Sequence, residues 1–473
     1  MSNINLGNNK FTRLCGPCEQ SRLARWLVVV LFCLLCGSCG PSQIPVLDEI
    51  KQKNELVVLT LNSPTTYYEE RETLAGMDYH LAMSFKDYLD VNVRFVVKDN
   101  IAEIFSALEK GQGHIAAAGL TKTSQRTEKY LAGPAYQAIT QQVVCHRSGA
   151  KPKDITGLIG LKLAVVAGSS YAELLTHLRS QHPELVWREE QEATSESMLE
   201  QVWQKKIDCT VADSNIVAVN RRYYPELEVA FDITEPESLV WYMQADAQKL
   251  AQITKKWFDS LKSSGKHAEL LERYYGFIDN FDYVDAKTFE RRTKERLPKY
   301  QAWFKTAAEQ HNLPWTLLAA QSYVESHWNP RAKSPTGVRG IMMLTQPTAK
   351  EVGVSNRLDA ESNIFGGAEY LAKLKKRIDE AITDPDRTWL ALAAYNVGMG
   401  HLRDAQSLAK QLGKNSRQWA DLKTVLPLLS QKKHYKKLKH GYARGGEPVS
   451  YVDRIRDFEQ TLIQLITLDP NLK

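Results

Sequence analysis

The sequence predicts a two-part fold, a two-lobed α/β module followed by an all-α domain. Three observations carry this. From about Leu56 to Gly276, short β-rich runs alternate with amphipathic stretches. After Pro298 the strand-like runs stop and helical patterns dominate. The charge balance also changes sign: residues 290–473 hold 30 Lys and Arg against 19 Asp and Glu, and residues 1–289 hold 31 against 36. A basic C-terminal part joined to an acidic N-terminal part indicates modules with different partners. The 473 residues, 43% apolar and 25% charged, suit two or three globular domains and exclude a collagen-like or mostly disordered chain.

The first element reads as an export leader over residues 1–39. Arg13, Arg22 and Arg25 precede the run WLVVVLFCLLC from Trp26 to Cys36, and small residues follow just before Cys39. Eleven apolar residues fall short of the roughly 20 that span a bilayer as a helix, so a secretory signal is the better reading. Cys36-Gly-Ser-Cys39 resembles a bacterial lipobox, which implies a lipid on Cys39. Five of the seven cysteines lie in this leader; Cys145 and Cys209 remain, as two buried thiols or as a pair. The expected place of the chain is the periplasmic face of the outer membrane, lipid-anchored or peripheral.

Residues 45–278 form the α/β module. Candidate strands are 56–61, 93–97, 114–119, 141–146, 161–168, 209–214 and 229–233, with helices at Asp78–Leu89, Ile101–Lys110 and Ser195–Lys205 between them. Continuous apolar strands separated by helices argue for mostly parallel sheets covered on both faces. Within this stretch, Leu120-Thr-Lys-Thr-Ser-Gln-Arg126 followed by Gly133-Pro-Ala-Tyr136 resembles the signature of family 3 bacterial solute-binding proteins. Gly76-Met-Asp78, Ala167-Gly-Ser-Ser170 and Val211-Ala-Asp213 stand where that family has matching segments. The resemblance implies a periplasmic-binding-protein-like cleft for an amino acid or muropeptide. Arg126 would hold a ligand carboxylate, Ser169 and Ser170 would add stabilisation at a helix N-terminus, and Asp213 would accept an ammonium. The bland alternatives are a surface arginine and a helix cap.

Residues 277–297, FIDNFDYVDAKTFERRTKERL, are dense in charge and read as an ordered helical connector, assigned to 279–297. Residues 298–473 then carry helical patterns at Tyr300–Gln310, Trp315–His327, Asn363–Ile382, Thr388–Tyr395, His401–Gln411 and Tyr451–Leu468. Asn312 is the expected cap of the second helix, with Pro314 in its first turn. Leu318, Gln321 and Glu325 share one face of that helix.

Glu325 alone is one of 55 acidic residues, and a solvated helix end is the ordinary reading. Its company is specific: Ser334-Pro-Thr-Gly337-Val-Arg-Gly340-Ile-Met342-Met343, then Ala394-Tyr395-Asn396, then Glu447 four residues before Tyr451. This ordered set resembles the family 1 lytic transglycosylases, whose domain has a goose-type lysozyme-like fold. The resemblance implies a peptidoglycan lyase that cleaves between N-acetylmuramic acid and N-acetylglucosamine. It implies Glu325 as general acid and base, and Ser326, Gly340, Met342, Tyr395, Asn396 and Glu447 as substrate-side residues. Tyr395 is expected to aim its hydroxyl at Glu325 or at an N-acetyl group, and Asn396 to support the turn that ends its helix. Gly337 and Gly340 are expected to let backbone approach a sugar. One departure matters: where the family commonly reads Gly-Leu-Met-Gln, this chain has Met343, which cannot donate the glutamine's hydrogen bond.

His327 lies two residues from Glu325, wrong for H-E-x-x-H spacing, and no Cys/His cluster suggests a metal, so no cofactor is expected. The run Lys432-Lys433-His434-Tyr435-Lys436-Lys437 is expected to face solvent or anionic murein and not nucleic acid. Two other readings stay open: a lysozyme-type hydrolase on the same fold, and a non-catalytic receptor.

Overall fold

The computed structural model describes residues 45–70, 73–277, 283–334, 337–469 and 472. The leader with Cys39 lies outside them. No helix among the described residues is long and apolar enough to cross a membrane.

The first lobe is built on strand Glu55–Leu61, flanked in parallel by Asn92–Lys98 and Ile115–Thr121. Its residues Leu56 to Leu59 are all buried because helices cover both faces. Leu56 and Val58 pack with Met77, Leu81 and Phe85 of helix Met77–Leu89; Leu59 packs with Ile104 and Leu108 of helix Ile101–Glu109. The sheet is then completed by a strand absent from the sequence reading. Glu237–Gln244 runs antiparallel to Ile115–Thr121 and also pairs with Tyr130–Ala132 and Gln137–Ile139.

The second lobe corrects the expectation of mostly parallel sheets. Gln141–His146 lies at its centre, antiparallel to both Cys209–Asp213 and Leu227–Asp232. The reason is topological. The chain leaves the first lobe after Gln137–Ile139 and returns through Glu237–Gln244, so strands on either side of each crossing run against their neighbours. Cys145 and Cys209 face each other in register on paired strands and form a disulfide, with Cα atoms 4.3 Å apart. The expected long strand at 161–168 shrinks to Ala164–Val166, paired in parallel with Arg188–Glu190.

A helix at Tyr283–Glu295 occupies the connector, and Phe289 on it is fully buried against Tyr323, Trp328 and Phe458. Beyond it the fold is helical around one core that includes Phe304, Leu318, Leu371, Leu390 and Val452. The helix Trp315–Ser326 starts just after Pro314. Asn312 does not cap it. Its left-handed conformation instead closes the preceding helix, Gln301–His311. At the other end His327 and Trp328 both turn to positive φ, and Trp328 folds back so that its Nε1 donates to the Ala319 carbonyl at 2.8 Å.

The two parts meet along the last helix, Gly446–Leu468. Arg456, 4% exposed, donates to Glu272 Oε1 at 2.7 Å and to the carbonyls of Glu272 and Arg273, between the rings of Trp389 and Phe277. Arg222 pairs with Asp457 at 2.8 Å, and Lys423 with Asp453 at 3.0 Å. A charge buried this deeply is held by its partners, and removing one partner strands the other. Arg456→Met is therefore expected to destabilise the chain by about 3 kcal/mol. Adding Glu272→Gln should recover part of that loss, so melting temperatures should rank wild type, double variant, single variant.

Candidate active site

The helix Trp315–Ser326 is almost wholly buried from Thr316 to Tyr323 and emerges only in its last turn. Glu325 sits in that turn, half-buried, while Gln321 lies one turn earlier on the same face and is fully buried. Tyr451 reaches between them from the helix Gly446–Leu468. Its hydroxyl donates to Glu325 Oε1 at 2.5 Å and accepts from Gln321 Nε2 at 3.1 Å. Burial and the neighbouring carboxylate push the Tyr451 phenol well above its ordinary range, so it stays a donor.

Loss of solvent raises the Glu325 carboxyl from the ordinary 4.5 to about 7, and the hydrogen bond from Tyr451 opposes that rise. The position at a helix C-terminus, the negative end of the helix dipole, works in the same direction as burial. The group can thus hold a proton near neutral pH and release it to a modest base.

The glycine-containing loop is clamped to this helix. The hydroxyls of Ser322 and Ser326 both donate to the Ile341 carbonyl, at 3.0 and 2.8 Å. Tyr395 donates to the next carbonyl, Met342, at 2.8 Å. On the loop's other side Asn363, fully buried, accepts from Met342 N at 2.7 Å and donates to the Arg357 carbonyl at 2.9 Å. A Cβ on Gly340 would meet that same Arg357 oxygen at 2.0 Å, and φ is +91°. Glycine is required here so that backbone can pack on backbone.

The structure gives the other expected site residues the following surroundings. Tyr395 lies near enough to feel the Glu325 charge, and its hydroxyl donates to the Met342 carbonyl. Met342 is buried in the core and faces Gly367. Gly340 packs against the Arg357 carbonyl, whereas Gly337 faces open space. Ser326 is a clamp. Asn396 stays within the helix Asp386–Val397, and Gly398, at φ +89°, ends it. Glu447 is exposed and paired with Arg444 at 3.2 Å. It lies one helical turn before Tyr451, on the same face. Met343 adopts φ +47° and is half-buried. Tyr451 and Gln321 are the site residues that sequence reasoning missed. The signal was present, since Gln321 shares a face with Glu325 and Tyr451 follows Glu447 by one turn.

In the N-terminal cleft, Arg126 is 5% exposed and bound internally. Its Nη1 donates to the Thr121 carbonyl, its Nη2 to the Gly168 carbonyl, and its Nε lies 3.2 Å from Glu173 Oε1. Glu173 thus supplies a carboxylate to this arginine from within the chain. Ser169 caps the helix Ser170–Arg179 and donates to the Val166 carbonyl, and Ser170 donates to Thr121 Oγ1. Of the four expected ligand residues, Asp213 alone presents a buried oxygen with no partner.

Comparison with known proteins gives a consistent result. Residues 302–418 match the model of the transglycosylase SLT domain, and residues 56–277 match that of bacterial extracellular solute-binding proteins, family 3. Membrane-bound lytic murein transglycosylase F 1 of Alkalilimnicola ehrlichii is 46% identical over 429 residues, 90% of this chain and 87% of that protein. Membrane-bound lytic murein transglycosylase F of Saccharophagus degradans is 44% identical over 434 residues, 91% of this chain and 87% of that protein. Among solved structures, a variant of ArgBP from T. maritima overlies 49% of this chain and 99% of its own, with a TM-score of 0.44 and 21% identity.

The raised Glu325 carboxyl has a thermodynamic signature. Between the unfolded value of 4.5 and the folded value of about 7, the folded state keeps a proton that the unfolded state has lost. Rising pH therefore costs stability across that window. Glu325→Gln, which cannot ionise, is expected to be more stable than wild type at about pH 8, by on the order of 2 kcal/mol. The difference should shrink as pH falls from about 7 to 4.5 and stay level below that, and a difference independent of pH would show an ordinary carboxyl.

Proposed function

This chain belongs to the membrane-bound lytic murein transglycosylase F family and is a murein-degrading lytic transglycosylase, in which we propose that Glu325 is the single acid and base. The observation that carries this reading is the half-buried carboxyl raised to about 7 and held by Tyr451. Protonated, Glu325 would give its proton to the glycosidic oxygen between N-acetylmuramic acid and N-acetylglucosamine as that bond breaks. The resulting carboxylate would then take the proton of the muramoyl C6 hydroxyl while its oxygen attacks the anomeric carbon. A 1,6-anhydro ring closes, Glu325 regains its proton, and no water is consumed. Two-carboxylate glycosidases need a partner at set spacing. Here burial raises the Glu325 carboxyl against the opposing hydrogen bond from Tyr451. In this reading the substrate's own 2-acetamido group would stand in for a protein nucleophile.

Tyr451 would position the Glu325 oxygen and stabilise its anionic form between the two proton transfers. A charge-assisted bond of this kind contributes roughly 1.5–3 kcal/mol. Glu447, one turn further out, would meet sugar or stem peptide at the groove mouth. Residues 298–473 would then be the catalytic domain. The 45–278 module would be a ligand-binding regulator, joined through 279–297 and through the ion pairs on the last helix. We place the enzyme in the cell envelope, at the periplasmic face of the outer membrane, with Cys39 as the lipid attachment.

Mass spectrometry of soluble products from purified murein sacculi tests the reading. Wild type should release anhydromuropeptides and Glu325→Gln none. Products with free reducing ends would establish hydrolysis in its place.

A further inference from the structure

Gln321 is the odd residue on the helix that carries Glu325. It is fully buried, and Leu317, Leu318, Ala319 and Ala320 just before it all belong to the apolar core. Its Oε1 is buried with no hydrogen-bond partner. Stranding an acceptor in this way is costly, and a leucine or methionine would fill the same space without that cost. Glutamine supplies one contact that an apolar side chain does not, the bond from its Nε2 to the Tyr451 hydroxyl at 3.1 Å.

The direction of that bond fixes the direction of the next. A tyrosine hydroxyl has one hydrogen to give. With an amide N–H pointed at its oxygen, Tyr451 turns that hydrogen away from Gln321 and onto Glu325 Oε1, at 2.5 Å. Tyr395, the other hydroxyl close enough to feel Glu325, gives its hydrogen to the Met342 carbonyl, which leaves Tyr451 as the donor to the carboxyl. Oε1 is therefore an acceptor in both protonation states, and the proton of the acid form sits on Oε2, the oxygen turned from Tyr451. With an acceptor in place of the amide nitrogen, the chain of bonds could run backwards, from Glu325 through Tyr451 into the core. The acid's proton would then rest on Oε1, aimed at protein.

We propose that Gln321 is a positioning residue for the glycosidic cleavage: by donating to the Tyr451 oxygen it holds the phenolic hydrogen on Glu325 Oε1 and keeps the transferable proton on Oε2. The same arrangement serves both halves of the reaction. The proton leaves Oε2 for the glycosidic oxygen, and the muramoyl C6 hydroxyl returns one to Oε2 as the anhydro ring closes. Between the two transfers the Tyr451 hydrogen already points at the anion, so nothing has to reorient. This rests on the reading of Glu325 as acid and base and assigns the group that orders its proton.

Steady-state kinetics of the full chain on soluble murein glycan strands test it through a double-variant cycle. Gln321→Leu is expected to lower kcat about tenfold and to leave KM within about twofold, since no contact to sugar is removed. In a Tyr451→Phe background the same substitution should change kcat by less than about twofold, because the hydroxyl through which Gln321 acts is already gone. Gln321→Met, also apolar and of similar length, should repeat both results and takes the place of the leucine variant if that one does not fold. An unchanged kcat in Gln321→Leu, a loss confined to KM, or an equal loss with and without the Tyr451 hydroxyl would each overturn the inference. Glu325→Gln in the same assay keeps the two claims apart. If it is as active as wild type, the acid–base reading falls and this inference with it; if it is inactive, that reading stands whatever the outcome at Gln321.

Discussion

The desolvation of one carboxyl group is the constraint on which the rest of the catalytic part depends. Glu325 costs the folded state free energy whenever it is ionised, and that cost is what makes it a usable acid near neutral pH. The surrounding structure is arranged to keep the cost in place. The helix beneath Glu325 is buried almost to its end, and three side-chain hydroxyls clamp the adjoining loop through the carbonyls of Ile341 and Met342. Asn363 secures that loop from the far side. A looser loop would admit water and let the carboxyl fall back toward 4.5.

The last helix joins this chemistry to the remainder of the chain. Tyr451 on it touches Glu325; Asp453, Arg456 and Asp457, within two turns, touch the N-terminal module or the lysine beside it. Any movement that shifts the Arg456–Glu272 contact acts on the same rigid helix that sets the Tyr451–Glu325 bond. The physical requirement for regulation is two arrangements of that contact with different ligand affinity. The lobes are tied shut by Arg126–Glu173 and Ser63–Glu196, so a ligand entering the cleft has bonds to break.

Much of this was legible in the sequence because periodicity reports burial. The strands at 55–61, 92–98 and 115–121 and the helix carrying Glu325 stand within a residue or two of where the pattern put them. The return strand Glu237–Gln244 went unread because Leu239 to Met243 are buried one after another, and so short a continuous apolar run does not by its period distinguish a strand from a helix. Its antiparallel direction follows from the lobe crossing, which no local pattern encodes. At the site, the motif pointed to Glu325 and to its neighbours, but it did not show how the loop beside it is held. Ser326 and Tyr395 hold the loop through the carbonyls of Ile341 and Met342, and Asn363 and Arg357 hold it from the other side, pairings between segments some 15 to 53 residues apart that no local pattern encodes. Tyr451 is separated from Glu325 by 126 residues, so its bond is a product of helix packing alone.

The most direct test of the account is a carbon-13 NMR titration of the Glu325 carboxyl in the intact chain, assigned by its absence in Glu325→Gln. The account predicts a midpoint near 7 in wild type and a higher one in Tyr451→Phe, where the bond that favours the anion is gone. A midpoint at the ordinary 4.5, or one unmoved by removing the Tyr451 hydroxyl, would contradict it.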